Sequence, residues 1–226
     1  MQQVHGCSMN TGKPGRQHYI DRPVCITYAL YMNAAKEARR ARERILETAV
    51  DLFSSQGYRA TGINEVINKS GVAKATFYNH FPTKADLCLA YLKNHSTSEL
   101  NSIRDFIARK RTPWSRFLGV IESLEPWLKA NQLRGCSFLN MVAEEPDPKS
   151  PLRKEGRKHY ESLRNLIREL ALELIESDPQ HYGELDADAI TDEYMVIIGG
   201  SIALAEIYHD AWPLRQGIDM VARLVD

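Results

Sequence analysis

Between Ala34 and Gln56 the chain is rich in Ala, Arg, Glu and Lys, and Ile45, Ala49, Leu52 and Phe53 recur at i, i+4, i+7 and i+8. That period puts all four on one face of a helix. Gly57 then stands where a helix C-cap is expected. A shorter segment, Gly62 to Lys69, carries Ile63, Val66 and Ile67 on one side, with Thr61 ahead as N-cap and Glu65 close behind. Ser70-Gly71-Val72 follows: Gly71 supplies the positive φ of a tight helix–helix turn, and Val72 is the apolar plug beneath it. Residues Ala73 to Asn79 form another short helix, which His80-Phe81-Pro82 stops because Pro82 cannot continue the ladder. Two short helices about a turn containing Gly make a helix-turn-helix.

The helical period persists beyond the turn. Thr83 caps a helix through Leu87, Tyr91, Leu100, Ile103 and Ile107, and Thr112-Pro113 opens another with Trp114, Phe117, Leu118 and Ile121. Pro126 is expected to kink or end that helix. A short helix begins around Arg134–Asn140 and stops before Pro146. Ser150-Pro151 starts a long helix with Leu163, Leu166, Ile167, Leu170 and Leu174 on one face. Asp186 caps the next, which carries Ile190, Tyr194, Ile197, Ile198, Ser201, Leu204 and Tyr208, and Pro213 starts the last. Gly199-Gly200 inside that helix costs about 1 kcal/mol each relative to Ala. The return is close approach by another helix, within one subunit or from a second one.

Composition narrows the class without naming a partner. An apolar fraction of 43% and a charged fraction of 26% are those of an ordinary globular protein. Net charge is zero, but its distribution is uneven. Residues 32–95 hold ten Lys/Arg against six acids, whereas residues 96–226 hold 16 against 22. A basic head on an acidic body is the split expected when only the head meets a polyanion. The four cysteines have neither pairing spacing nor His partners, which fits a reducing, cytoplasmic setting without a metal site. No apolar run approaches the ~20 residues of a membrane span, so no membrane partner is expected.

Residues 1–31 carry Gly6, Gly12, Pro14, Gly15 and Pro23 and no sustained period, so residues 1–33 are read as a disordered N-terminal extension, with Met32 as the working start. The apolar patch at 24–32, VCITYALYM, imitates a signal peptide but makes a poor apolar core for one.

The order of residue types in the head is more specific than its helix spacing. I-L-x-x-A-x-x-L-F-x-x-x-G-Y at 45–58, then T-G-I, S-G-V, T-F-Y-N-H-F and K-A-D-L, resembles the DNA-binding domain of the tetracycline-repressor (TetR) family over about residues 39–87. The G-C-x-F-L-N run at 135–140 resembles the C-terminal region of a subgroup of that family. The resemblance implies an all-α homodimeric regulator. Residues 34–86 would be a three-helix DNA-binding domain, and residues 87–226 a helical ligand-binding and dimerisation domain whose last two helices build the dimer interface. It implies groove contact for Lys74, Ala75 and Asn79. Thr76, Tyr78, His80 and Lys84 would meet phosphates, with Thr61 and Gly62 at the preceding helix start, and Arg42 joins this DNA-contacting set.

Elementary chemistry agrees with these roles. Lys donates to guanine O6/N7, Asn pairs bidentately with adenine, and Ala packs on a thymine methyl. Hydroxyl, phenol and imidazole groups and a helix N-terminus are ordinary phosphate partners. Other readings stand beside them: Tyr78 as a lid over the core, His80 as a helix cap, Lys74 and Lys84 as solvated charges. Two departures from the family pattern occur, Ala75 where a small residue, often Gly, is usual, and Ile67 where Ala is usual.

No Gly-rich phosphate loop, H-E-x-x-H, G-x-S-x-G or Cys/His metal spacing occurs, so neither enzyme chemistry nor a cofactor is expected. Glu144-Glu145 reads as a solvated helix end. The expected function is a regulator, most simply a repressor, released from a pseudo-palindromic double-stranded operator by a small-molecule effector whose pocket the sequence does not mark. The alternatives are a redox-responsive regulator sensing through Cys136, which lies beside Arg134, and a helical carrier or enzyme without DNA binding.

Overall fold

The computed structural model describes the backbone of residues 22–226 and the side chains of Met32 and residues 34–226. The helices are α1 (Arg22–Gln56), α2 (Ile63–Ser70), α3 (Lys74–His80), α4 (Lys84–Ile107), α5 (Pro113–Glu122), α6 (Leu124–Ala130), α7 (Ser137–Glu144), α8 (Pro151–Ser177), α9 (Pro179–Tyr182), α10 (Ala187–Tyr208) and α11 (Trp212–Ala222). No strand occurs among the described residues, so the fold is all-α. None of these helices is long and apolar enough to cross a membrane.

The first helix starts at Arg22, well before the expected Ala34. Pro23 lies in its first turn, where a missing N–H costs nothing, and the Ala-rich sequence after it continues the helix. The extension expected over residues 1–33 lies outside the described residues up to position 21. The chain divides into two compact units, Met1–Arg40 and Ala41–Asp226. The second unit contains the helix-turn-helix and the whole helical body.

In that unit the anticipated apolar face is the core. Ile45, Ala49, Leu52 and Phe53 are buried together with Val66, Ile67, Val72, Phe77, Phe81 and Leu87. Ile67 thus fills space beneath the helix-turn-helix. Gly71 takes φ 64° and ψ 28°, a left-handed conformation that only glycine adopts cheaply, and closes α2 through its N–H to the Asn68 carbonyl. Thr83 and Asp86 form a reciprocal capping box that starts α4, with Thr83 Oγ1 accepting from Asp86 N at 3.1 Å. Thr112 and Ser115 do the same for α5. Ser150 caps α8 and Asp186 caps α10, as the sequence predicts.

Two expected boundaries differ. The N-cap of α2 is Gly62 and not Thr61, because Thr61 turns its hydroxyl back to donate to the Gly57 carbonyl at 2.7 Å. The α5 helix ends at Glu122 with Ser123 as its C-cap, ahead of Pro126, and Pro126 sits in the first turn of α6. Proline there removes only an N–H that has no intrahelical acceptor.

The long α8 is the spine of the body, packed by α4, α5, α7 and α10, while α11 lies against α10 and α5. Tyr194 of α10 inserts its hydroxyl into the α5 ladder, donating to Phe117 O at 2.8 Å and accepting from Ile121 N at 3.0 Å. At Gly217 α11 lies tight against its neighbours: a Cβ there would collide with Ser201 of α10 and meet Ile121 Cδ1 of α5 at 2.9 Å. Gly199 and Gly200, by contrast, have no atom within 4 Å of where a Cβ would stand, apart from their chain neighbours and the backbone of their own helix turn. Packing within the subunit therefore does not account for them.

Candidate nucleic-acid interface

Seven residues build α3, and one of them holds it down. Phe77 is fully buried, stacking edge-on to Tyr78 at 5.3 Å and near Phe81 at 6.2 Å. A helix anchored by a single aromatic must turn its remaining side chains outward, because their neighbours on the wheel lie off the buried stripe. Lys74, Ala75, Tyr78 and Asn79 are exposed, and Thr76 and His80 are placed around them at the margin of the same helix. No hydrogen bond or ion pair among the described residues holds the side chains of Lys74, Tyr78 or Asn79. The expected groove-facing trio and Tyr78 thus stand together on one open face.

The flanks of that face are pinned by cations on rings. The exposed Arg42 of α1 lies with its guanidinium carbon 5.3 Å from the Phe81 ring centre, at the end of α3. Lys84, at the start of α4, places Nζ 4.5 Å from the Tyr58 ring centre and donates to the Arg59 carbonyl at 3.2 Å. Partial burial lowers its pKa. Lys84 is therefore a partnered cation at the rim and not a freely solvated one. Gly62 is exposed at the N-terminus of α2. Thr61 sits apart from the others: it is 1% exposed, and its hydroxyl also receives Gln56 Nε2 at 3.4 Å. Its side chain serves the corner between α1 and α2. Glu65 accepts from Gln56 Nε2 at 2.8 Å and pairs with Lys69 at 2.9 Å, and its pKa is lowered by the hydrogen bonds from Lys69 and Gln56.

One residue that its sequence neighbourhood gives no reason to single out becomes prominent in the fold. Glu144, at the C-terminal end of α7, is no idle solvated end. Its carboxylate accepts the backbone N–H groups of Tyr58 at 3.3 Å and Arg59 at 2.6 Å. Arg134 donates to the Ser54 carbonyl at 3.3 Å, and Tyr91 donates to Ser137 Oγ at 3.0 Å while lying 3.5 Å from Ser54 Oγ. The end of α1 is thus clasped by α4, by α7 and by the segment that precedes α7. A Cβ at Gly57 would stand 2.6 Å from Glu144 Oε1, so the clasp also needs a glycine there.

Deeper in the body, α4 and α8 enclose a polar cluster. His159 Nδ1 lies 2.9 Å from Ser96 Oγ, and its ring stacks on Phe138 at 3.8 Å. Glu99 Oε1 is 3.8 Å from His159 Nε2, and Glu99 Oε2 is 3.6 Å from His95 Nε2. Burial pushes the Glu99 carboxyl up to about 7 and the His159 imidazole down to about 4. Cys136 is 2% exposed, receives a weak bond from Tyr160 Oη at 3.6 Å, and has its thiol pushed up by burial to about 11. A thiol that stays protonated and covered is a poor oxidant sensor, so the Cys136 redox reading is not favoured.

Residues 45–91 match the family model described as "Bacterial regulatory proteins, tetR family". Across 191 residues the chain is 25% identical to an uncharacterised HTH-type transcriptional regulator in the lacX 3' region of Lactococcus lactis subsp. lactis, covering 81% of this chain and 92% of the relative. It is 29% identical over 82 residues to the HTH-type transcriptional activator FasR of Mycolicibacterium smegmatis, 36% of this chain and 37% of that one. The crystal structure of a TetR-family transcriptional regulator from Streptomyces coelicolor superposes with a TM-score of 0.73 at 27% identity, covering 83% of this chain and 96% of that one.

Proposed function

Because the chain belongs to the tetR family of bacterial regulatory proteins, we propose that this transcriptional regulator is a homodimeric, ligand-responsive repressor that reads operator DNA through α3. The observation that carries the reading is the open face of Lys74, Ala75, Tyr78 and Asn79 on a helix fixed by buried Phe77, where the polar groups of Lys74, Tyr78 and Asn79 have no hydrogen-bond or ion-pair partner among the described residues. Lys74 and Asn79 supply the base-edge donors and acceptors, and Ala75 a methyl contact. Thr76, Tyr78 and His80 with the N-terminus of α2 at Gly62 anchor the phosphates, and Arg42 and Lys84 extend the basic rim. Thr61 contributes by shaping that N-terminus. Residues 34–86 then act as the DNA-binding part, and residues 87–226 as the ligand-binding and dimerisation part.

Dimerisation is supported by α10. Val196, Gly200, Ala203, Leu204 and Ile207 are exposed at i, i+4, i+7, i+8 and i+11, with Val196 at 75% and Ile207 at 73%. An apolar stripe at helical spacing, open at its glycine, suits a second helix laid along it. Tyr208, Trp212 and Met220 extend the same apolar character toward and along α11. A two-fold dimer would set two α3 helices about one DNA turn apart, ~34–36 Å, matching a pseudo-palindrome. An effector that prefers one spacing of the two heads then shifts the DNA-bound population. Activation stands as the second reading, favoured by the partial similarity to an activator.

A gel shift on the DNA flanking the protein's own coding region tests the proposal. The parent protein should retard a fragment at protein concentrations where Lys74→Ala and Tyr78→Ala variants of unchanged helicity do not. Retention of affinity in both variants would displace the assigned face, and no retardation at low salt would sink the DNA-binding reading.

A further inference from the structure

A cleft of about 720 Å³ opens where the end of α1 meets α4, α6 and α7, a volume within the range of small-molecule sites. Its walls have a consistent chemistry. Half-buried Tyr58 and Trp127 line it, together with the buried rings of Phe53 and Tyr91. Its charged groups are Asp51, Glu144 and Glu206 against one cation, Arg134. His95 also lines it, and burial lowers the pKa of that imidazole, so it adds no charge at neutral pH. Immediately behind His95, its Nε2 and Glu99 Oε2 face each other with no hydrogen-bond partner, and the Glu99 side chain is only 6% exposed.

Aromatic faces beside carboxylates select one class of occupant. A cation gains from both the ring quadrupoles and the negative charge. An anion meets three carboxylates, and a neutral apolar molecule would strip water from them without replacing it. The Tyr58 ring already accepts a cation in this manner from Lys84 Nζ. Glu144 is at once part of the cleft wall and the acceptor for the Tyr58 and Arg59 N–H groups. We propose that this cleft binds an amphipathic organic cation, which competes with the corner after α1 for the Glu144 carboxylate and so loosens the head. The regulatory half of this proposal rests on the reading of the chain as a ligand-responsive DNA-binding regulator.

The test is a calorimetric titration of the full chain with tetraphenylphosphonium and with tetraphenylborate, ions of one shape and opposite charge. Saturable binding with one phosphonium per chain is expected, at least tenfold tighter than the borate. Asp51→Asn and Glu206→Gln, both exposed positions, should each weaken the phosphonium several-fold while leaving the melting temperature in place. Equal or tighter binding of the borate, or phosphonium binding unchanged in both variants, overturns the cation site. The same phosphonium should lower affinity for flanking DNA, and undiminished DNA affinity at saturation overturns the competition for Glu144. A protein that binds its flanking DNA but shows no preference for the phosphonium defeats the cleft proposal alone. A protein that takes the phosphonium but binds no flanking DNA defeats the regulator reading and leaves the cleft.

Discussion

The α3 face and the clasp at the end of α1 are both polar, and they treat their polar groups in opposite ways. On α3, the side chains of Lys74, Tyr78 and Asn79 have no hydrogen-bond or ion-pair partner among the described residues. At the clasp, Glu144, Arg134, Tyr91 and Ser137 each hold a partner on another element. Unspent hydrogen-bonding capacity on a rigidly seated helix suits a ligand from outside the chain. Spent capacity between elements fixes where that helix is presented.

The largest expected effect breaks the first half of the contrast. The double variant Lys74→Ala/Tyr78→Ala should lose about a hundredfold or more in operator affinity, since each such contact contributes roughly 1–3 kcal/mol. Fluorescence anisotropy measures it, and Lys74→Ala alone should also relax sequence preference at one position. Next comes the turn that presents the face. Gly71→Val forces a branched residue into the left-handed region, although a Cβ there meets no atom within 4 Å. The cost is backbone strain alone, about 1–2 kcal/mol, read as a melting temperature lowered by roughly 2–8 °C.

The buried cluster in the body gives a pH test. Glu99 holds its proton in the folded chain up to about 7, above its unfolded value of 4.5, so it favours folding at low pH and that contribution fades as pH rises between those values. His159 titrates at about 4 against an unfolded 6.5, so it costs stability as pH falls through that window. The two oppose each other between pH 4.5 and 6.5. Removing one with Glu99→Gln should expose the other: stability should then fall by about 2 kcal/mol more than in the parent on going from about pH 6.5 to about 4.5. Thermal unfolding at a series of pH values checks this, and a parallel pH profile would contradict it.

Smaller effects sharpen the second half of the contrast. Glu144→Ala removes the acceptor of the Tyr58 and Arg59 amides at a cost of about 1 kcal/mol, and those two amides should exchange hydrogen faster while Glu144→Gln restores most of their protection. Peroxide should leave operator affinity unchanged in the parent and in Cys136→Ser alike, because the thiol is covered and protonated.

These two regions also differ in how far the sequence discloses them. The α3 face is legible because its residues are neighbours in the chain: Gly71, Phe77 and the polar positions around them fix one another within a few turns. The caps at Thr83, Thr112, Ser150 and Asp186 are legible for the same reason. The clasp joins Glu144 to residues 85 and 86 positions earlier, so no local spacing announces it, and two adjacent glutamates read as a solvated end. The His159–Glu99 pairing across α4 and α8 is hidden in the same way. Thr61 and Pro126 are ambiguous for another reason. A threonine can cap forward or bond backward, and a proline can end one helix or sit in the first turn of the next, and only packing decides.

DNA reading through α3 is tested most directly by a hydroxyl-radical footprint of the purified protein on the DNA flanking its coding region, run at low and moderate salt. Two protected half-sites about one helical turn apart, weakening as salt rises and absent with Lys74→Ala/Tyr78→Ala, are the predicted result. Uniform cleavage at low salt, or a footprint that survives the double variant, would contradict it.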